Sequence, residues 1–145
     1  MPQLATFTLD GRLYGLDVRT VQEVLRDQVL TPVPLAPPAV RGLLNLRGQI
    51  LAAIDLRVAL GGKASDVDVD AQTGSVVILQ TPQEPISLLV DSFGDVVSVT
   101  PETFEPCDSL LDGVASELVL GAYRLDAALL HVLDPAGLTK RVFAG

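Results

Sequence analysis

The sequence contains no tryptophan, and aromatic residues make up only 4% of its 145 residues. A surface that stacks bases or sugar rings is therefore poorly supported, because such surfaces are built from aromatic side chains. Basic residues are also scarce: ten lysines and arginines against 18 acidic residues give a net charge of −8. This balance disfavours nucleic acid as a partner, since phosphate binding needs clustered Lys and Arg.

The sequence also has little cysteine and no long apolar run. Cys107 is the single cysteine, so no disulfide can form within the chain. No apolar run reaches the roughly 18–20 residues that a membrane-spanning helix needs, and the amino terminus lacks the basic and apolar regions of a signal peptide. With 48% apolar residues the chain can bury its own core. These features predict a single cytoplasmic domain over residues 1–145.

Residue patterns for catalysis or metal binding are few. His131 is the only histidine and lies in the apolar run AALLHVL, where a core or edge residue is the simpler interpretation. A metal site usually needs several ligands, and a catalytic histidine needs a nearby nucleophile. Cys107 stands between Glu105 and Asp108, whose carboxylates disfavour a reactive thiolate. We therefore expect no catalytic residue, no cofactor and no bound metal, and a protein that is not an enzyme.

The acidic segment DVDVD begins like a calcium-binding loop. Asp66, Asp68 and Asp70 have the spacing of the first three ligands of an EF-hand. The pattern then requires glycine at its sixth position and glutamate at its twelfth, where this chain has Ala71 and Val77. The match fails, and a solvated loop over residues 63–74 is predicted instead.

Alternating polar and apolar residues predict strands along most of the chain. The first two, Thr6–Leu9 and Arg12–Val18, flank Asp10-Gly11, a dipeptide typical of hairpin turns. Apolar residues at helical spacing then predict a short helix over residues 18–26, which Asp17 can cap.

The middle of the chain predicts more strands. Val29–Val33 is a candidate strand, although prolines follow it closely. The stretch VRGLLNLRGQILAAIDLR (40–57) predicts two strands that meet at Arg47-Gly48, and a helical turn from Leu56 to Leu60.

The remaining segments complete an all-β pattern. Further predicted strands are Ser75–Gln80, Ile86–Asp91, Asp95–Thr100, Leu118–Tyr123 and Ala127–Leu133. Residues 101–116 have weak periodicity and are predicted to be a long connection, and Asp134-Pro135 opens a terminal helix. Roughly nine or ten short strands separated by turns indicate an all-β barrel or sandwich.

Several short motifs follow one another in a characteristic order. They are Tyr14–Asp17 (YGLD), Val21–Glu23 (VQE), Gly42, Asn45–Gly48 (NLRG) and Asp55–Arg57 (DLR). With these motifs, and with SLLVDSFGDVVSV (87–99) and LGAYRLDAALLHVLDPAGL (120–138), the chain resembles the CheW family over residues 4–140. Members of this family are adaptor proteins of bacterial chemosensory arrays. NLRG followed by DLR at this spacing is specific, whereas VQE alone would be weak.

The resemblance implies a fold and a function. The implied fold is two intertwined five-stranded SH3-like β-barrel subdomains, with a short helix near residues 18–26 and a short C-terminal helix. The implied function is that of a non-catalytic adaptor, which links the helical cytoplasmic tip of a methyl-accepting chemoreceptor to the regulatory domain of a CheA-type histidine kinase. The kinase domain has the same fold, and CheW-like domains contact one another in rings. Such a protein is cytoplasmic and is recruited to membrane-associated receptor arrays.

The resemblance also implies a set of site residues. The candidates for the receptor-binding groove are Val21, Glu23, Gly42, Asn45, Arg47 and Gly48. We hypothesise that Glu23 and Arg47 meet as an ion pair, which either contacts the receptor or only braces the structure. Gly42 and Gly48 are expected to serve the backbone, through a positive φ or a close approach. Asp55 and Arg57 are candidates for a structural clasp at the end of a strand.

Two alternatives stay open at this point. The chain could be the regulatory domain of a CheA-type kinase; because Met1 lies just before the first hairpin, a free-standing adaptor is expected. It could also serve a chemosensory pathway for twitching motility or second-messenger control.

Overall fold

The computed structural model describes residues 3–26, 28–60, 75–81, 84–106, 118–126 and 128–143. Two sequence predictions lie outside these residues, namely the acidic loop over residues 63–74 and the environment of Cys107. The strands in the described residues are β1 Gln3–Leu9, β2 Arg12–Asp17, β3 Val21–Arg26, β4 Val40–Leu46, β5 Gln49–Asp55, β6 Ser75–Leu79, β7 Ile86–Val90, β8 Ser92–Ser98, β9 Phe104–Pro106, β10 Val119–Arg124 and β11 Leu129–Leu133. The helices are α1 Leu56–Ala59 and α2 Pro135–Phe143, with 3-10 turns at Val18–Thr20 and Pro101–Thr103.

The strands form two sheets that share the chain between them. One sheet has six strands in the order β8-β1-β2-β11-β10-β9, and the other has five in the order β3-β6-β7-β5-β4. The chain therefore starts in the six-stranded sheet, builds the five-stranded sheet and then returns. This arrangement confirms the predicted all-β fold of two intertwined subdomains. The sixth strand of the larger sheet is the three-residue β9, within the segment predicted to be a connection.

A shared core lies between the two sheets. Phe7 and Leu16 reach it from the six-stranded sheet, and Ile54 and Leu88 reach it from the five-stranded sheet. A second cluster, which we call the inner core, is formed by Leu30, Leu44, Leu51, Ala53, Val76 and Ile78. Nearly all of its members belong to the five-stranded sheet, so that sheet curls around an apolar core of its own.

The predicted helix over residues 18–26 is wrong. Only Val18–Thr20 forms a helical turn, whose start is capped by Asp17, with Oδ1 accepting from Arg19 N at 2.9 Å. Residues 21–26 form strand β3, which pairs antiparallel with β6. The ladder shifts register between Val21 and Glu23, and such a bulge breaks the alternation of side chains that identifies a strand. The apolar residues therefore fell at helical spacing by coincidence.

The other elements follow the predictions more closely. The hairpin turn at Asp10-Gly11, the helical turn beginning at Leu56 and the terminal helix beginning at Pro135 are confirmed. The strand predicted at Val29–Val33 is reduced to one isolated bridge between Thr31 and Leu43. The prolines that follow Thr31 have no N–H to donate, so the ladder cannot continue.

Candidate functional site

The β4–β5 hairpin is closed by a turn of two residues with left-handed backbone. Leu46 pairs with Gln49, and between them Arg47 has φ 49° and Gly48 has φ 90°. Positive φ at both central residues is the pattern of a type I′ turn, which matches the twist of antiparallel strands. Glycine adopts this conformation readily, whereas arginine adopts it rarely. The predicted meeting of two strands at Arg47-Gly48 is confirmed.

The turn directs the Arg47 side chain onto the carboxylate of Glu23. The shortest contacts are Nη2 to Oε2 at 2.6 Å and Nη2 to Oε1 at 2.7 Å, and Nη1 lies 3.1–3.2 Å from the same two oxygens. The hypothesised ion pair is therefore present. It bridges the sheet from edge to edge, because Glu23 belongs to β3 and the Arg47 turn follows β4, the two outermost strands.

The ion pair lies beside the inner core. Glu23 is paired with Ile78, a member of the inner core, and Leu46 packs against the same cluster from the other edge. The side chain of Glu23 is 26% exposed and that of Arg47 is 65% exposed. An ion pair with so much solvent access adds roughly 0–1 kcal/mol to stability. The pair therefore contributes little to the stability of the fold.

Gly42 and Gly48 serve the backbone in different ways. At Gly42 an added Cβ would lie 2.7 Å from the carbonyl oxygen of Thr31 and 3.2 Å from Leu30 Cβ. Thr31 is this close because it exchanges two hydrogen bonds with Leu43, at 2.9 and 2.8 Å. Gly48 has open space around it and is required instead by its positive φ. A close approach thus requires glycine at position 42 and a positive φ requires it at position 48, the two reasons expected from the sequence.

Val21 lies on β3, not on a helix. It is half-buried and packs against the shared core, opposite Leu79. Much of its side chain is therefore used for packing, and only the remaining surface could contact a partner.

Four side chains near the turn form an outward-facing surface. Asn45 pairs with Ile50, and Leu43 pairs with Ala52, so these four side chains share the outer side of the hairpin. We call this surface the hairpin face. Ile50 is 56% exposed, which is unusual for a large aliphatic side chain in a strand. The sequence did not single out Ile50, although its place beside NLRG was the available signal.

Asp55 and Arg57 meet where the Asp55 side chain accepts from the backbone N–H of Arg57. The buried Asp55 caps α1 by accepting from Arg57 N at 3.0 Å, and its Oδ2 lies 3.5 Å from Arg41 Nη1. The Arg57 side chain turns away: Nε donates to both carboxylate oxygens of Asp10 at 2.9 Å, and Nη2 donates to Asp91 at 3.0 Å. The hydrogen bond from Arg57 to Asp10 raises the pKa of the guanidinium.

This ion cluster connects the two sheets. Asp10 lies in the β1–β2 turn of the six-stranded sheet, and Arg57 lies in α1, directly after β5 of the five-stranded sheet. Asp91 lies at the junction of β7 and β8, where the chain crosses back. The clasp of Asp55 with Arg57 stays a prediction, and the ion pairs of the Arg57 side chain are made with Asp10 and Asp91. They are 47 and 34 residues away from Arg57 in the chain, so no local pattern could have identified them.

His131 occupies a half-buried position at the β11–β2 pairing. Its Nδ1 lies 3.2 Å from the carbonyl oxygen of Leu13, and its ring centroid lies 5.6 Å from that of Tyr14. Because β11 lies between β2 and β10, His131 belongs to the interior of the sheet, and these contacts agree with a packing role rather than an edge position. Within the residues described, no group of three or more His, Cys, Asp or Glu side chains could hold a metal ion. No helix in the same residues is long and apolar enough to cross a membrane.

The architecture and the site define an all-β protein with an exposed hairpin at the edge of its five-stranded sheet. Residues 3–143 match the family model described as a CheW-like domain, so the chain belongs to the CheW family, as its motifs predicted. It is similar to the chemotaxis protein CheW of Treponema pallidum, with 31% identity over 133 residues, 91% of this chain and 78% of the relative. It is also similar to CheW of Klebsiella aerogenes, with 31% identity over 128 residues, 88% of this chain and 75% of the relative.

The fold is shared with a solved structure. The crystal structure of the scaffolding protein TtCheW from Thermoanaerobacter tengcongensis superposes with a TM-score of 0.81 at 27% identity. The superposition covers 95% of this chain and 92% of that protein. The two-sheet fold with its intertwined chain is therefore the fold of a CheW protein.

Proposed function

We propose that this chain is a non-catalytic adaptor of a chemosensory array, which couples the cytoplasmic tip of a chemoreceptor to the regulatory domain of a CheA-type histidine kinase. Membership of the CheW family supports this proposal, as do the relatives named as chemotaxis proteins and the scaffolding protein that shares the fold. In this role the protein works in the cytoplasm and is recruited to receptors at the membrane.

The observation that carries the receptor contact is the exposure of the Glu23–Arg47 ion pair. A guanidinium has five N–H donors in a fixed plane, and 65% of the Arg47 side chain is open to solvent. Arg47 can therefore hold Glu23 and meet a carboxylate of a partner at the same time. A charged group fixed in this way sets the register of a docked helix more than it adds affinity.

The hairpin face supplies the apolar part of the proposed contact. Receptor tips of this class are helical hairpins, and an apolar helix face binds against an apolar surface through residues one turn apart. Ile50 and the half-buried Leu43 offer such a surface close to Arg47. We propose that the receptor helix packs on Ile50 and Leu43 of the hairpin face with Arg47 at its edge, and that Val21 contributes its exposed part.

The proposal is tested by pull-down with purified receptor signalling domains and CheA-type kinases from the same organism. We expect the wild-type protein to capture both, and Arg47→Glu to lose the receptor while it still captures the kinase. The matched control is Arg124→Glu, because Arg124 is 60% exposed and forms a similar ion pair with Glu105 on the six-stranded sheet. A folded wild-type protein that captures neither partner would contradict the adaptor function.

A further inference from the structure

The side chain of Asn45 is tied to the backbone of the hairpin turn. Its Oδ1 accepts a hydrogen bond from the backbone N–H of Gly48 at 3.0 Å. Gly48 lies in the turn between the two strands, so the hydrogen bond encloses Leu46 and Arg47 in a small ring. An asparagine oxygen bonded to a nearby backbone N–H stabilises a turn in the way that a backbone carbonyl does.

The ring contains Arg47, and arginine rarely adopts the left-handed conformation that it has here. Arg47 has φ 49°, where Asn and Gly are the residues normally found at this position of a type I′ turn. Here the asparagine stands two residues earlier and acts through its side chain instead. The Asn45 side chain thus bonds to the backbone of Gly48, the residue directly after Arg47.

The conformation of Arg47 decides where its guanidinium points. Both terminal nitrogens lie within 3.2 Å of the two oxygens of Glu23, which belongs to the opposite edge of the sheet. A bidentate contact of this kind requires a fixed plane and a fixed approach. If Arg47 relaxed to negative φ, its side chain would leave this approach, because the Cα–Cβ bond would swing away from β3.

We infer that Asn45 is a positioning residue, which holds Arg47 in its left-handed conformation and so aims the guanidinium at Glu23 and at the partner, and that Asn45 does not itself contact the partner. This changes the expectation that Asn45 belongs to the binding surface as a contact residue. The inference about the partner rests on the proposed function, whereas the inference about Arg47 concerns the free protein.

The first test therefore uses the free protein. In Asn45→Ala we expect the amide hydrogen of Gly48 to exchange about fivefold faster, the factor that corresponds to one typical hydrogen bond. We also expect Arg47 to lose the strong intraresidue amide-to-Hα Overhauser effect that a positive φ gives. Asn45→Asp keeps an acceptor oxygen and should restore both signals, and Gln49→Ala, an exposed amide in the same hairpin, should change neither. Unchanged signals in Asn45→Ala would overturn the inference.

The second test measures affinity for a receptor signalling domain. We expect Asn45→Ala to weaken binding in the wild-type background and to have no further effect in the Arg47→Gly background, where no guanidinium remains to be positioned. A further loss in the Arg47→Gly background would show direct contact by Asn45 and overturn the inference. If the wild-type protein binds no receptor, the proposed function fails, and the exchange and Overhauser measurements alone decide whether Asn45 positions Arg47.

Discussion

Arg47 and Glu23 join the two outermost strands of the five-stranded sheet, with Nη2 2.6 Å from Oε2. The same two edges approach a second time where Thr31, in the segment that follows β3, pairs with Leu43 of β4. The Thr31 bridge is made of backbone hydrogen bonds beside buried Leu30, and the ion pair is made of exposed side chains. Closure of the sheet therefore has one link made by the backbone and one made by exposed side chains that a partner can reach.

The close approach of Thr31 predicts that Gly42 and Gly48 resist substitution for different reasons. We expect Gly42→Ala to destabilise the fold by about 1–3 kcal/mol, because the new Cβ would overlap a backbone oxygen that cannot move without breaking the bridge. Gly48→Ala meets open space and should cost about 1–2 kcal/mol through its positive φ alone. Urea unfolding measures both free energies.

Substitution by asparagine distinguishes steric overlap at Gly42 from the positive φ at Gly48. Gly48→Asn should recover most of the stability lost in Gly48→Ala, because asparagine tolerates left-handed backbone, while Gly42→Asn should be at least as damaging as Gly42→Ala. Equal recovery at the two positions would contradict this account of Gly42.

The ion cluster around Arg57 predicts that the Arg57 side chain stabilises the fold by connecting the two sheets. We expect Arg57→Gln to lower the free energy of unfolding by about 1–2 kcal/mol, because hydrogen bonds to two charged groups are lost while Asp10 and Asp91 stay partly solvated. Arg19→Gln is the matched control, since its ion pair with Asp17 is local and largely exposed. Chemical denaturation that showed equal losses for both variants would argue against a clasp between the sheets.

The cap at Asp17 predicts a measurable pKa shift. Hydrogen bonds from the side chain and backbone of Arg19 lower the pKa of Asp17 below its ordinary value of 3.8. A carboxyl with a lowered pKa in the folded state stabilises the fold above pH 3.8, and this contribution is lost as the pH falls through the lowered value. Titration followed by NMR should show the shift in the wild-type protein and a higher pKa in Arg19→Ala. A pKa that Arg19→Ala leaves unchanged would contradict the assignment of its cause.

The hairpin face predicts that Ile50 binds the receptor. We expect Ile50→Asp to weaken receptor binding about tenfold or more, because a carboxylate cannot be buried against an apolar helix without a partner. Its melting temperature should stay close to wild type, since the side chain is largely exposed. Leu120→Asp is the matched control: Leu120 is 54% exposed against 56% for Ile50, but it lies on β10 of the other sheet. Equal losses of receptor binding, measured by calorimetry, would remove the hairpin face from the site.

Local sequence patterns predicted the parts of this fold that depend on neighbouring residues. The turns at Asp10-Gly11 and Arg47-Gly48 were predictable because each has glycine where the hairpin turn requires a positive φ. The helix over residues 18–26 was mispredicted because the register shift after Val21 is set by pairing with β6, more than fifty residues later. Pairing of this kind leaves no trace in the periodicity of a single segment.

The candidate site was likewise predictable only in part. Glu23 and Arg47 were paired through family motifs, and the structure brings them together across the sheet. The partners of Arg57 were not predictable, because Asp10 already had a sufficient role as a turn residue and Asp91 ended a strand. Ile50 was missed for a different reason: an aliphatic residue in an alternating strand indicates a core until the fold shows which side faces solvent.

The central claim is that Arg47 contacts the receptor and does not only brace the sheet. The decisive measurement compares melting temperature and receptor affinity in Glu23→Lys, Arg47→Glu and the charge-swapped pair Glu23→Arg with Arg47→Glu. We predict that each single variant loses affinity about tenfold while its melting temperature falls by less than about 4 °C. The swapped pair should recover the melting temperature but not the affinity, because the charge offered to the partner is reversed. Recovery of both quantities in the swapped pair, or a loss of affinity that follows the melting temperature through the series, would contradict the claim.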